Sequence, residues 1–281
     1  MILSTHYVVD FNPFAIRFPD GFFIEGVRWY GLSYMAGFII ALMLFNLYSS
    51  RGRSPLTKDE NSSLLTYLLF GIIIGGRLGY MLFYSFDSFI ENPLSFFQVW
   101  KGGMASHGGF IGTVIALLIF SRVNRRSFLK VADIVVASAP AGIFLGRLAN
   151  FINGELWGKI SSVSWAMIFP NSAPVGTPIT EIAARHPSQL YEAFAEGLFL
   201  FAYLQYRLWK CNLPKGQLAG EFLLLYGIGR IACEVFREPD VGVSLIMGLS
   251  RGSFYSIFSL LVGVGFIIYS KIVAKKVKSS Q

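Results

Sequence analysis

The sequence predicts an all-α polytopic membrane protein of seven transmembrane helices, and three observations predict it. Apolar residues make up 54% of the 281 residues and charged residues only 14%, against about 25% in soluble proteins; the mean hydropathy is +0.55. The apolar residues fall into seven continuous runs, each near the ~20 residues a helix needs to cross a bilayer. Lys and Arg crowd into every second connection. A globule of this size has too few charges to cover its surface. That excludes a disordered chain, a disulfide-rich secreted module and an ordinary cytosolic enzyme. The first 25 residues contain Asp10, Pro13, Pro19 and Asp20 and lack a basic stretch followed by an apolar one, so no cleavable signal peptide is expected. Cys211 and Cys233 lie outside any CxxC or Cys/His cluster, so neither a zinc site nor a disulfide framework is expected.

The runs, in order, are Val27–Leu47, Ser63–Tyr84, Gly103–Phe120, Val131–Ile152, Gln189–Trp209, Ala219–Arg237 and Ser253–Lys271. In hydrocarbon every backbone polar group needs a partner, and a helix supplies it within one segment. A β-barrel would show alternating ten-residue segments, and these runs are continuous. Arg51, Arg53 and Lys58 follow the first run, and Arg122, Arg125, Arg126 and Lys130 the third. Arg207, Lys210 and Lys215 follow the fifth, and Lys271, Lys275, Lys276 and Lys278 end the chain. The opposite side carries only Arg17, Arg28, Lys101, Lys159, Arg185 and Arg251. The positive-inside rule places the richer side in the cytoplasm. The N-terminus is then outside and the C-terminus cytoplasmic, as an odd number of spans requires. The net charge of +8 reads as a basic rim against anionic lipid, with no nucleic-acid partner. Residues 1–281 read as one integral membrane domain. Its longer outer-face segments, 1–26, 85–102 and 153–188, offer a place to bind a substrate. No internal repeat of the kind found in inverted-repeat transporters is visible.

Four arginines remain: Arg77, Arg147, Arg230 and Arg237, all within or near the outer ends of spans. An Arg at a helix centre costs ~2.5–3.5 kcal/mol on insertion scales and usually faces a polar interior. Four of them in one half of the membrane point to an anion site. The structural alternative is that they pair with Glu234, Glu155 and Asp133 as interhelical glue. In the sixth span, Tyr226, Arg230, Glu234 and Arg237 fall within about 80° of arc at ~100° per residue, a polar stripe on an apolar helix. In the fourth, Arg147 and Asn150 are i, i+3 neighbours leading into Asn153, Gly154, Glu155 and Gly158. Glycines there permit close approach. The third span opens with His107 among Gly108, Gly109 and Gly112. His is suited to take a proton near neutral pH; the alternative is a packing residue.

GRLANFINGELWG (146–158) resembles the signature of bacterial prolipoprotein diacylglyceryl transferases. RWYGLSY (28–34), GGRLGYMLFY (75–84), WKGGMASHGGFIG (100–112), RHPSQLYEA (185–193) and YGIGRIACEVFREPD (226–240) match that family in order, over nearly the whole chain. Ala149 stands where Gly is common. The resemblance implies transfer of the diacylglyceryl group of phosphatidylglycerol to the lipobox cysteine of prolipoprotein signal peptides. A thioether forms and glycerol 1-phosphate leaves, in the bacterial cytoplasmic (inner) membrane. The nucleophile is the substrate's own thiol, which must lose its proton, and the leaving phosphate suits the bidentate fork of Arg. No metal or other cofactor is expected. The resemblance assigns Arg147 and Arg230 to the lipid phosphate and His107 to the thiol proton, with an arginine-bound phosphate oxygen as the alternative acceptor. Tyr30, Asn150 and Tyr226 orient the headgroup. Glu155 and Glu234 orient the arginines or stabilise the empty site, Gly154 and Gly158 leave room for substrate, and Arg77 and Arg237 are second choices that assist lipid entry. A rival reading is a proton-coupled or anion transporter with an intramembrane Arg/Glu/His relay. It requires charged residues in the inner half of the spans, whereas these candidates cluster at the outer half.

Overall fold

The computed structural model describes residues 6–19, 21, 25–98, 102–239 and 246–279. Asp20, Trp100, Lys101 and Asp240, which figure in the charge and motif readings above, lie outside the described residues. Each of the seven predicted runs coincides with a helix. These are α1 (Trp29–Ser50), α2 (Lys58–Tyr84), α4 (Ser106–Val123), α5 (Phe128–Ile152), α8 (Gln217–Glu234) and α9 (Arg251–Ser279). The fifth run is a continuous stretch of α6 (Ser188–Glu192), a π-helix (Ala193–Phe199) and α7 (Leu200–Lys210). Between α2 and α4 lie the short α3 (Phe86–Glu91) and a 3-10 turn, Pro93–Phe97.

Among the described residues four helices are long and apolar enough to cross a membrane: Trp29–Ser50, Lys58–Tyr84, Phe128–Ile152 and Arg251–Lys276. The other three fall short for visible reasons. α4 is brief, α8 carries Glu221, Arg230 and Glu234, and the fifth stretch carries Glu192 and Glu196 around its π-turn. Met43, Phe70, Phe110 and Leu261 stand more than half exposed, as helix faces turned to lipid do. The outer segments add what the all-α expectation left out. An antiparallel pair, β2 (Phe14–Arg17) with β3 (Gly26–Arg28), precedes α1, and β1 (Tyr7–Val8) pairs in parallel with β4 (Met167–Ile168).

The chain divides into two compact units, residues 42–134 and residues 1–41 with 135–281. In the smaller unit α2 and α4 meet through glycines. A Cβ on Gly112 would overlap the carbonyl oxygen of Gly71, and one on Gly108 that of Gly75; Gly79 lies against Gly108 as well. Small residues four apart let two membrane helices approach backbone to backbone. The glycines around His107 therefore answer first to α2, which accounts for the close approach the sequence implied. At the start of α2, Thr57 and Glu60 form a capping box that satisfies two orphan donors. The Glu60 carboxylate also takes Arg126 bidentately, at 2.8 and 2.9 Å.

In the larger unit α8 packs along α9, again over small residues: a Cβ on Gly263 would lie 2.8 Å from the Gly220 oxygen. α5 contains Pro140, and Gln205 on α7 donates to the nearby Ala137 oxygen at 2.7 Å. A neighbouring helix thus helps satisfy backbone beside a proline, as membrane helices require. Gly197 in the π-helix has no room for a side chain because Phe144 of α5 fills it, with Phe144 Cβ 2.7 Å from where a Cβ would be. That contact sets the π-turn one helical turn from Arg147.

The α2–α4 contact is tested by Gly112→Val. We expect it to lower stability by about 1–3 kcal/mol or more, the usual cost of overpacking, read as a fall in Tm in detergent. Gly109→Ala on the same helix meets nothing closer than 3.8 Å and should leave Tm unchanged or slightly raised.

Candidate active site

The site grows out of α5. Its C-terminus is turned sharply by Gly154 (φ 61°) and Leu156 (φ 59°), both in the left-handed region. Leu156 is strained there, and Ser188 Oγ holds its carbonyl at 2.9 Å. Gln189 Nε2 donates to the Glu155 oxygen at 2.7 Å. The RHPSQLYEA segment thus clamps the α5 exit. Gly158 then forms a bridge to Arg237; its amide donates to the His186 oxygen at 2.9 Å and the Lys159 amide to the Phe236 oxygen at 2.8 Å. His186, Tyr191 and Phe236 pack edge-on with centroids 5.1–5.9 Å apart. Trp165 Nε1 donates to Tyr191 Oη at 2.7 Å.

This clamp aims six charged side chains at one another. Arg147 (α5) places Nη1 2.9 Å from Glu192 Oε2 and Nη2 3.0 Å from Glu196 Oε2. Arg230 (α8) pairs with Glu192 Oε1, lies 3.5 Å from Glu196 Oε1 and bonds Glu234 Oε1. Arg237, just past α8, reaches Glu192 Oε1 at 3.3 Å. Glu192 and Glu196 are wholly buried. Three guanidinium groups and three carboxylates therefore balance. In a low-dielectric interior each alone would carry a desolvation penalty that its partners offset. Gly252 at the start of α9 completes the arrangement: a Cβ there would overlap the Glu234 carboxylate and lie 3.0 Å from Arg230 Nη2.

Around this cluster, Tyr226 lies within electrostatic reach of Arg147, Arg230, Glu192 and Glu196, and its ring stacks on Phe222 at 5.8 Å. Tyr30, in the first turn of α1, is within reach of Arg147 and Glu155, and its hydroxyl is 3.3 Å from that of Tyr34. Asn150 and Asn153 donate to Glu155 Oε1 at 2.8 and 3.3 Å.

The larger unit thus brings together Arg147, Arg230, Arg237, Glu234, Tyr226 and Tyr30, with Asn150 and Glu155 beside them. Several expectations need correction. Glu155 is held by two amides instead of orienting an arginine. Asp133, offered as a pairing partner, lies in the smaller unit with Arg77, whose donors go to backbone carbonyls. Gly158 makes room for the His186 and Phe236 carbonyls, which a Cβ would meet at 2.6 Å, and not for substrate; Gly154 serves the left-handed turn against Asn171. Arg77 is buried in the smaller unit, where Nε, Nη1 and Nη2 donate to the carbonyls of Ser95, Phe96, Gln98, Gly102 and Gly103. All five donors of a guanidinium are thereby engaged. It fastens residues 95–98 and Gly102 and Gly103 to α2 and offers no donor to a lipid. His107 stands exposed in the first turn of α4, in the smaller unit. Sequence reasoning missed Glu192 and Glu196. Their signal was available: two acids four apart inside an apolar run, opposite arginines that lacked enough partners.

These features define a multi-pass membrane protein whose larger unit buries an arginine–carboxylate cluster among tyrosines and amides. The profile of the prolipoprotein diacylglyceryl transferases matches residues 19–269, and the chain belongs to that family. It is 46% identical over 245 residues to the phosphatidylglycerol–prolipoprotein diacylglyceryl transferase of Pseudoalteromonas translucida, covering 87% of this chain and 88% of that one. It is 43% identical over 268 residues to the protein of the same name from Idiomarina loihiensis, covering 93% and 96%. With the Proteus mirabilis protein of that name it shares 42% over 259 residues, 87% and 88% of the two chains.

Gly252→Ala drives a methyl group into the Glu234–Arg230 pair. Breaking a buried pair costs about 3 kcal/mol or more, so a clear drop in Tm is expected. Gly265→Ala, on the same helix with nothing within 4 Å, should leave Tm unchanged.

Proposed function

We propose that this protein transfers the diacylglyceryl group of phosphatidylglycerol to the lipobox cysteine of prolipoproteins, the first step of bacterial lipoprotein maturation. One observation carries the residue assignment. Arg147 and Arg230 both contact the same two carboxylates, Glu192 and Glu196, so both guanidinium groups lie within reach of a single oxyanion. The substrate thiol attacks the glyceryl carbon that bears the phosphate oxygen. The S–C bond forms, the C–O bond breaks, and glycerol 1-phosphate departs with the added charge. Two guanidinium forks are suited to that charge because donors aimed at a developing anion stabilise the transition state more than the ground state.

His107 takes the thiol proton in this reading, on the strength of its chemistry and sequence context. Tyr30, Tyr226 and Asn150 orient the headgroup, and Glu234 orients Arg230. Arg237 serves lipid entry through the Glu192 carboxylate it shares with Arg230. The chain crosses the bacterial inner membrane seven times as one integral domain, with the N-terminus outside, the C-terminus in the cytoplasm and the site in the outer half. The charge bias of the connections supports that orientation. The anion-transporter reading has less support. The charged cluster sits at the C-terminal end of α5, the N-terminal end of the fifth stretch and the C-terminal end of α8, one end of each segment, and a relay would extend along them.

The test uses purified protein in micelles with phosphatidylglycerol and a lipobox peptide. Wild type should release glycerol phosphate and yield a diacylglyceryl thioether. Arg230→Lys should lose about 10²-fold or more of the rate while still inserting, because a point charge does not reproduce the fork. In the same assay His107→Gln should lose more at pH 6 than at pH 9, where thiolate forms unaided. Absence of thioether with wild type would overturn the function. Full activity in Arg230→Lys would overturn the phosphate assignment, and an equal loss at both pH values would remove His107 from the proton step.

A further inference from the structure

The cluster has a property that the transfer reaction itself does not require. It is already electrically complete: every guanidinium that would receive a phosphate holds a carboxylate. An arriving lipid monoanion must therefore take donors from one of them. The three carboxylates are not equally placed to yield. Glu192 contacts Arg147, Arg230 and Arg237. Its Oε2 lacks an aligned donor but sits 2.9 Å from Arg147 Nη1. Among the described residues Glu234 bonds Arg230 alone, and it is lodged over Gly252. Among the described residues Glu196 contacts Arg147 and Arg230 and no third cation. It has one hydrogen bond, from Arg147 Nη2 at 3.0 Å. Its Oε1 is buried without a donor, 3.5 Å from Arg230 Nη1. A buried carboxylate oxygen left without a hydrogen bond is unfavourable, so Glu196 is the weakest-held anion on the pair of arginines assigned to phosphate. It also rides on the π-helix Ala193–Phe199. Such turns are rare and occur frequently at functional sites.

We propose that Glu196 is a positioning residue that stands in for the lipid phosphate. It holds the Arg147 and Arg230 forks in a phosphate-ready arrangement when the site is empty, gives way as the phosphate enters, and returns to help expel glycerol 1-phosphate. Glu192 stays in place as the anchor of the cluster. The exchange alters neither bond making nor bond breaking; it trades one oxyanion for another on the same donors. It acts on both lipid entry and product exit, so it raises KM and kcat together. This inference rests on the proposed function.

The experiment compares wild type, Glu196→Gln and Glu192→Gln as full-length protein in zwitterionic micelles. Binding of phosphatidylglycerol is read by native mass spectrometry, and transfer to a lipobox peptide in parallel. Glu196→Gln removes the competitor. It should bind phosphatidylglycerol about tenfold or more tighter, lower KM, lower kcat and be inhibited by less glycerol 1-phosphate. Glu192→Gln removes the same charge from the same arginines but takes away the anchor, and should bind no tighter than wild type. If Glu196→Gln cannot be purified, Glu196→Asp, which keeps the charge and shortens its reach, should shift binding and kcat in the same directions. Equal or weaker binding by the Glu196 variant, with an active wild type, would overturn the exchange and leave the function standing. Equal tightening in both Gln variants would also overturn it, since charge alone would then explain the gain. A wild type that neither binds nor transfers would remove the function and this inference together.

Discussion

Charge balance in an apolar interior is the constraint on which the larger unit depends. Three arginines in or just beyond membrane-type helices are tolerated because three carboxylates meet them, and Glu192 is shared by all three. No single helix could satisfy this requirement. Arg147 comes from α5, Glu192 and Glu196 from the fifth stretch, Arg230 and Glu234 from α8. Assembling the cluster therefore fixes how those segments meet. The glycines act in support: Gly197 brings the π-turn against Phe144, and Gly252 leaves space for the Glu234 carboxylate. The hydrophobic effect places helices in a bilayer but gives them little reason to choose one neighbour over another. Matched buried charge supplies that choice here.

In the proposed reaction the same balance prepares the chemistry. Arginines held by carboxylates are already desolvated and already aimed. A phosphate that replaces a carboxylate meets donors in place, with little reorganisation left for the reaction step. The outer segments contribute rigidity. The left-handed turn at Gly154 and Leu156, the Gly158–Arg237 bridge and the ring contacts of His186, Tyr191 and Phe236 tie the ends of α5 and α8 to the start of α6. In the smaller unit Arg77 performs a comparable task for residues 95–98 and Gly102 and Gly103, with backbone carbonyls in place of carboxylates.

Much of this was legible from residues alone, and the reason differs by feature. All seven helices could be read because hydropathy is a property of each run by itself. The stripe of Tyr226, Arg230 and Glu234 could be read because helical period links positions within one segment. The partners of Arg147 could not, because Glu192 and Glu196 lie 45 and 49 positions away on another helix. A strict accounting of buried charge would have pointed to them, since Glu234 alone could not balance Arg147 and Arg230. The glycines at 154 and 158 were read as space for a ligand. Backbone carbonyls and a left-handed turn use the same absence of a side chain, and sequence does not distinguish the three. The short strands escaped for a simpler reason: two- to four-residue pairings carry almost no periodic signal.

The central claim is that the cluster holds together by mutual neutralisation. A double-mutant cycle on Arg147 and Glu192, by reversible unfolding in detergent, tests it most directly. Arg147→Gln and Glu192→Gln should each destabilise the protein by about 3–5 kcal/mol, because each strands a buried charge. The double variant should recover part of that loss, with a coupling energy of about 1–3 kcal/mol. Losses that simply add would mean that the two groups do not neutralise one another, and the account of this fold as one organised by matched buried charge would be wrong.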